Sequence, residues 1–113
     1  MLVELLEKAV SIGGTSVEVE YRDGKEYVTA FRGNTGVGIA CFGSKDAKAL
    51  FKEMDELRKV RRAILCGAPH RLSFSRYESF GEWVHEIRMK KVAEAATPKR
   101  PPRARSSRRG ARE

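Results

Sequence analysis

The feature that most restricts the fold is an Asp-Gly pair at positions 23 and 24, which separates two strand-like runs, 16–22 and 27–31. Asp-Gly between such runs is a strong signal for a two-residue β-hairpin, because a type I′ turn needs positive φ at both central positions. A two-residue loop also fixes which residues face each other and share a face. The predicted pairs are Val17 with Ala30, Glu18 with Thr29, Val19 with Val28, and Glu20 with Tyr27.

Apolar periodicity places two helices and four more strands around this hairpin. Residues 2–10 repeat apolar positions at helical spacing and stop at Gly13-Gly14, and a second helix follows Ser44, its predicted N-cap residue. The further strands are predicted at 37–41, 60–66, 71–76 and 83–89, and the last three are separated by turns at 67–69 and 78–81. The order α-β-β-β-α-β-β-β predicts an α+β domain with a mostly antiparallel sheet and both helices on one face.

The first half of the chain has an order of elements that is known elsewhere. The α-β-β-β-α order over residues 2–59, with the helix start Ser44-Lys45-Asp46-Ala47-Lys48, resembles double-stranded RNA-binding domains. The resemblance covers half of the chain, and no binding residue is taken from it. Because small α+β folds serve many functions, the function is inferred from the residues themselves.

Composition divides the chain into two parts. Residues 1–96 carry 16 Lys and Arg against 14 Asp and Glu, a net charge of +2, whereas residues 97–113 carry seven against one, a net of +6. After Val92 no aliphatic residue is larger than alanine, so this segment cannot bury enough apolar surface to offset its ordering entropy. We predict a globular domain over 1–95 and a disordered, basic tail rich in Arg, Pro and Ser over 96–113.

The two cysteines, Cys41 and Cys66, lie inside apolar runs. This pattern predicts two buried, reduced thiols in an intracellular, cytoplasmic protein. A Cys41–Cys66 disulfide is the alternative, since the sequence gives no distance between them. The longest apolar runs are far shorter than the roughly 20 residues that cross a bilayer, so we predict no membrane span.

No pattern of residues indicates catalysis or metal binding. The only soft metal ligands are Cys41, Cys66, His70 and His85. They lack the closely spaced pairs that structural zinc sites use, and thiols buried in strands are inert as nucleophiles. The glycines at 33, 36 and 38 are followed by a strand and not by a helix, unlike a dinucleotide-binding loop. We therefore predict no enzyme activity, no metal and no cofactor.

Two basic segments are candidates for binding nucleic acid or another polyanion. The first, at the end of the second helix, comprises Arg58, Lys59, Arg61 and Arg62, and Lys90 and Lys91 could extend it. Cations there also complement the partial negative charge of a helix C-terminus, so a structural role is the alternative. The second is the tail, whose arginines suit bidentate contacts with phosphates. Its basic residues are Lys99, Arg100, Arg103, Arg105, Arg108, Arg109 and Arg112.

Two pairs of aromatic residues are candidates for docking a partner. They are Tyr27 and Phe31 on the predicted hairpin, and Phe80 and Trp83 in or beside the loop before the last strand. The first pair could stack nucleobases, but Glu18 and Glu20 on the same face repel phosphate, which favours packing or self-association. The second pair either closes the core or contacts a partner.

The tail and the first basic segment favour one functional hypothesis. We predict a non-enzymatic binding module that associates with nucleic acid through phosphate contacts that do not read sequence. The alternative is a protein-interaction or assembly domain, which uses the aromatic residues for a partner or for a second copy. In that case the tail is incidental.

Overall fold

The computed structural model describes residues 1–92. They form two helices and six strands in the predicted order, which confirms the α+β fold. The elements are α1 (Leu2–Ser11), β1 (Ser16–Arg22), β2 (Lys25–Arg32), β3 (Thr35–Phe42), α2 (Ser44–Val60), β4 (Arg62–Leu65), β5 (Ala68–Ser79) and β6 (Glu82–Lys91). The predicted tail, 96–113, and the end of the predicted domain, 93–95, lie outside the described residues.

All six strands belong to one curled sheet with the order β3-β2-β1-β6-β5-β4. Every neighbouring pair is antiparallel. Two meanders, β1 to β3 and β4 to β6, join where β1 pairs with β6. Residues 2–59 are therefore not a separate unit, and their resemblance to double-stranded RNA-binding domains ends at the order of elements.

The hairpin between β1 and β2 has the predicted turn and register. Asp23 and Gly24 have φ values of 53° and 80°, as a type I′ turn requires. The register pairs Val19 with Val28 and Glu20 with Tyr27. The valines of both strands are buried on one face, which we call the inner face, and the glutamates lie on the other, the outer face.

The turn between β4 and β5 differs from the prediction. It consists of Cys66 and Gly67, with φ values of 53° and 78°, and β5 already begins at Ala68. The sequence predicted the turn one residue later, at 67–69, because cysteine is unusual at a turn position that favours Asn, Asp or Gly. The consequence is that Arg62 pairs with Arg71 across the two strands.

Both helices cover the inner face. Leu2, Leu6, Leu50 and Met54 pack with buried residues of the sheet in one hydrophobic core. Gly14 donates its N–H to the Ala9 carbonyl at 2.8 Å, which closes the end of α1 near the predicted glycines. No helix within residues 1–92 combines the length and the apolarity needed to cross a membrane.

The start of α2 differs from the prediction by one residue. The helix begins at Ser44, but its N-cap residue is Gly43, whose carbonyl accepts the Ala47 N–H at 2.9 Å. No side chain caps this end with a hydrogen bond. The predicted capping role of Ser44 is therefore wrong.

Both cysteines are exposed and free, so the prediction of two buried thiols is wrong. A bulge in β3 explains Cys41: Val28 pairs with Ala40 but Thr29 pairs with Gly38, which leaves one extra residue between them. The extra residue reverses the alternation of the strand, so Cys41 lies opposite Tyr27 on the outer face. Cys66 is exposed because it occupies the β4–β5 turn.

Candidate nucleic-acid interface

A basic groove lies where the end of α2 meets the start of β4 and the middle of β5. Its volume is about 520 Å³, and four arginines from these three elements contribute to its walls. The apolar part of its surface includes Val60, which is 62% exposed, and half-buried Phe74. We call it the arginine groove, lined by Arg58, Val60, Arg61, Arg62, Arg71, Leu72, Ser73 and Phe74.

Arg61 is fixed by its backbone at the end of α2. It adopts the left-handed conformation, with φ of 61°, and donates its N–H to the Leu57 carbonyl at 2.8 Å. Its own carbonyl accepts the Leu72 N–H at 2.9 Å, which ties the helix end to β5. A non-glycine residue in this conformation costs about 1–2 kcal/mol. Arg61 thus serves as the helix cap as well as part of the groove wall.

Arg58 is held in place by two contacts. Its Nη1 lies 3.0 Å from Oδ1 of Asp55, and its Cζ lies 5.9 Å from the centroid of the Phe74 ring. The Asp55 pair is exposed to solvent and contributes little to stability. The two contacts nevertheless orient the guanidinium beside Phe74, on the wall of the groove.

Three cations lie directly opposite one another across β4, β5 and β6. Arg62 pairs with Arg71, and Arg71 pairs with Lys90. We call these three residues the cation ladder. Like charges in directly opposite positions destabilise a sheet. Within the part of the chain that the structure describes, none of the three forms an ion pair.

The predicted basic residues are brought together only in part. Arg58, Arg61 and Arg62 line the groove, whereas Lys59 is exposed on α2 and is not among the lining residues. Arg71 was not predicted as a site residue, because a turn at 67–69 does not place it opposite Arg62. The seven basic residues of the tail lie outside the described range. The chain passes into that tail from Val92, whose N–H donates to the Pro69 carbonyl at 3.0 Å.

The outer face around Tyr27 and Phe31 is acidic, as the predicted register implied. Both aromatic rings are half-buried, and Glu18, Glu20 and Glu86 lie on the same face. The Tyr77 hydroxyl reaches across β6 and donates to Glu18 Oε1 at 2.9 Å. Glu86 accepts a hydrogen bond from Ser75 at 3.1 Å and pairs with Arg88 at 3.3 Å. This acidic part of the outer face, around β1, is a poor site for phosphate.

The ionisation of Tyr77 reflects these neighbours. Partial burial, the hydrogen bond to Glu18 and the surrounding carboxylates raise the pKa of Tyr77 to about 12. The hydroxyl therefore stays protonated at neutral pH and remains a donor to Glu18. It holds the side chain over β6, where Val84 is buried beneath the outer face.

Phe80 and Trp83 belong to a different surface from Tyr27 and Phe31. Phe80 occupies the turn between β5 and β6 with φ of 51°, and its side chain is fully exposed. Trp83 is 50% exposed, and the Arg76 guanidinium carbon lies 4.4 Å from the centroid of its ring. Neither residue closes the core. We call residues 78–83 the hairpin tip.

The cysteines and histidines do not form a metal-binding cluster in the part of the chain that the structure describes. Within residues 1–92 no group of three or more metal-binding side chains occurs. The Cys66 thiol donates to the Glu7 carbonyl at 3.4 Å, and the Cys66 N–H donates to the Glu7 carboxylate at 3.0 Å. Partial burial lowers the pKa of His85, and nearby Arg76 and Arg58 lower it further. Its ring packs edge-on against Phe51 at 5.0 Å.

Comparison with known proteins adds no family to this description. No protein-family model matches the chain, and no curated protein matches it in sequence. The described residues offer a set of guanidinium and ammonium groups on β4, β5, β6 and the end of α2. Such groups bind anions through charge-assisted hydrogen bonds.

Proposed function

We propose that this protein is a non-enzymatic, cytoplasmic module that binds nucleic acid through its phosphate backbone. The observation that supports this proposal is the cation ladder, with the arginine groove beside it. Three directly opposed cations lower the stability of a sheet, so their presence favours a ligand that neutralises their charge. A chain of phosphates is such a ligand.

The dimensions of the ladder suit several phosphates. Neighbouring strands are about 4.8 Å apart, so three cations span about 10 Å. One strand of a duplex carries a phosphate about every 3.4 Å along the axis, and the ladder therefore matches about three of them. Arg62 and Arg71 also line the groove, which gives a bound backbone a continuous basic path.

The tail extends this basic surface in the proposal. Its first cation, Lys99, follows Val92 by seven residues, a distance of at most about 25 Å in extended chain. Tail and ladder can therefore contact the same nucleic acid molecule. Glu18, Glu20 and Glu86 limit the contact on the outer face, because they repel phosphate. The proposed contact reads no bases, since its groups are aimed at the backbone.

The test is a salt titration of oligonucleotide binding by fluorescence anisotropy. For the full chain we expect log K to fall steeply between about 50 and 200 mM salt, with a slope of about 0.7 per phosphate contact for a single strand. Deleting residues 97–113 should reduce the slope and the affinity. Arg71→Ser in the full chain should reduce the slope by about one contact.

Arg22→Ser is the matched control. Arg22 is an exposed arginine of β1 near the opposite end of the sheet, and it pairs with Glu20 at 3.4 Å. This variant should leave binding unchanged. Equal affinities for the full chain, the shortened chain and Arg71→Ser would refute the proposal.

Protein interaction is the second candidate function. The exposed aromatic residues of the hairpin tip favour it, because large apolar side chains without cover are typical of docking surfaces. The half-buried Tyr27 and Phe31 support it less, since they are packed among outer-face neighbours.

A further inference from the structure

The hairpin tip differs from two other tight turns of the sheet in the residue type at its first turn position. Three hairpins of the sheet have an X-Gly turn of the same backbone geometry, with Asp23, Cys66 and Phe80 as the first residue. Aspartate is suited to that position, whereas a bulky residue there is an outlier. Phe80 is also fully exposed, so no packing contact within residues 1–92 accounts for it. An outlier of this kind indicates a function at the tip.

The side chains around Phe80 restrict the kind of partner surface that it can contact. Trp83 adds a second aromatic surface, and Arg76 is already engaged over its ring at 4.4 Å. Glu78 and Glu82 flank the turn on either side and are exposed. The tip is therefore an aromatic side chain between two carboxylates. A surface complementary to this tip has an apolar depression with a basic rim. Nucleic acid and anionic membranes are disfavoured as partners, because the carboxylates repel them.

The arginine groove has these properties. Val60 and Phe74 provide apolar surface, and four arginines surround it. Its volume of about 520 Å³ falls within the range of about 300–1,000 Å³ that is common for ligand pockets. A phenyl ring fits such a space, and arginines beside it can pair with Glu78 and Glu82.

A molecule cannot place its tip in its own groove. Arg71 and Phe80 lie nine residues apart on the straight course of β5 and its turn, which is about 30 Å at about 3.3 Å per residue. We propose that the hairpin tip of one copy docks in the arginine groove of a second copy. The contact is head-to-tail and uses different surfaces on the two molecules, so it propagates into a ring or a chain.

Two properties follow from the size and place of this contact. A tip of six residues buries less surface than a standard interface, so association is weak and needs high protein concentration. Because the groove is shared with the proposed phosphate site, a bound oligonucleotide excludes the tip and disperses the assembly. The contact itself needs no nucleic acid, so it can be tested separately.

The experiment is sedimentation equilibrium of the full-length protein and two variants. Phe80→Asp removes the aromatic group and keeps a residue that suits the turn, and Arg62→Glu reverses one charge of the groove. The unmodified protein should gain average mass with concentration and exceed a dimer. Each variant alone should associate at least tenfold more weakly.

Mixing the variants gives the decisive result. Phe80→Asp has an intact groove and Arg62→Glu has an intact tip, so an equimolar mixture should form dimers and nothing larger. Arg32→Glu, a charge reversal at the exposed end of β2 beside the β2–β3 turn, is the control and should assemble like the unmodified protein. A monomeric unmodified protein, unimpaired assembly of Phe80→Asp, or a mixture that stays monomeric would each overturn the proposal.

Oligonucleotide binding separates this proposal from the previous one. Phe80→Asp should bind an oligonucleotide as well as the unmodified protein does, whereas Arg62→Glu should weaken both assembly and oligonucleotide binding. Assembly without oligonucleotide binding would refute only the nucleic-acid proposal. Binding without assembly would refute only the head-to-tail contact.

Discussion

Replacing Arg71 with threonine should make the domain more stable, although we propose that its side chain contacts phosphate. Arg71 lies opposite Arg62 on one side and Lys90 on the other. Each like-charge contact costs a few tenths to about 1 kcal/mol, so removing both should raise the free energy of unfolding by about 1 kcal/mol. For a domain of this size that gain shifts the melting temperature upward by about 4–8 °C.

The assay is thermal unfolding followed by circular dichroism at low and high salt. The gain should shrink at high salt, because the screening length falls from about 10 Å at 0.1 M to about 3 Å at 1 M. Arg88→Thr is the control, since Arg88 lies on the neighbouring strand β6 but pairs with Glu86 at 3.3 Å, so its removal should not stabilise the domain. If Arg71→Thr lowered the melting temperature or matched the control at low salt, the repulsion inferred from the register would be refuted.

Three further predictions concern the core, the tip and the outer face. Leu50→Ala, at a fully buried position between α2 and the sheet, should lower the free energy of unfolding by about 2–5 kcal/mol in urea titrations. Phe80→Asn should raise it by up to about 1 kcal/mol, because asparagine accepts the left-handed conformation, and a loss of stability in the same titration would contradict the strain. Since the pKa of Tyr77 is raised to about 12 from 10.0, its contribution is complete below pH 10 and disappears as the pH rises through 12. Tyr77→Phe should remove that part of the alkaline loss, and absorbance near 295 nm should show one of the three tyrosines ionising late only when Tyr77 is present.

The sequence predicted those parts of the fold that local chemistry decides. Asp23 and Gly24 determine their turn, the turn determines the register, and the register places Val19 and Glu20 on opposite faces. The order of helices and strands followed in the same way from periodicity. These signals are local, so no knowledge of the other elements was needed.

The predictions that failed depended on register elsewhere in the sheet. A single extra residue in β3 turned Cys41 outward, and a cysteine in a tight turn moved the start of β5 to Ala68. The second shift concealed the pairing of Arg62 with Arg71, and with it the place of Arg71 in the candidate site. The groove also depends on how the end of α2 packs beside β4 and β5, which the local sequence does not show.

The pairing of β1 with β6 has a consequence for how the protein is made. Ser16 pairs with Arg88, so an early strand and the last strand of the domain lie side by side in the middle of the sheet. During synthesis β1 has a partner on one side only until β6 has left the ribosome. The domain therefore cannot form strand by strand as it emerges, and its closure requires a contact between distant segments, which slows folding. A nascent chain that stops before Glu82 exposes the edge that the finished protein buries at its centre.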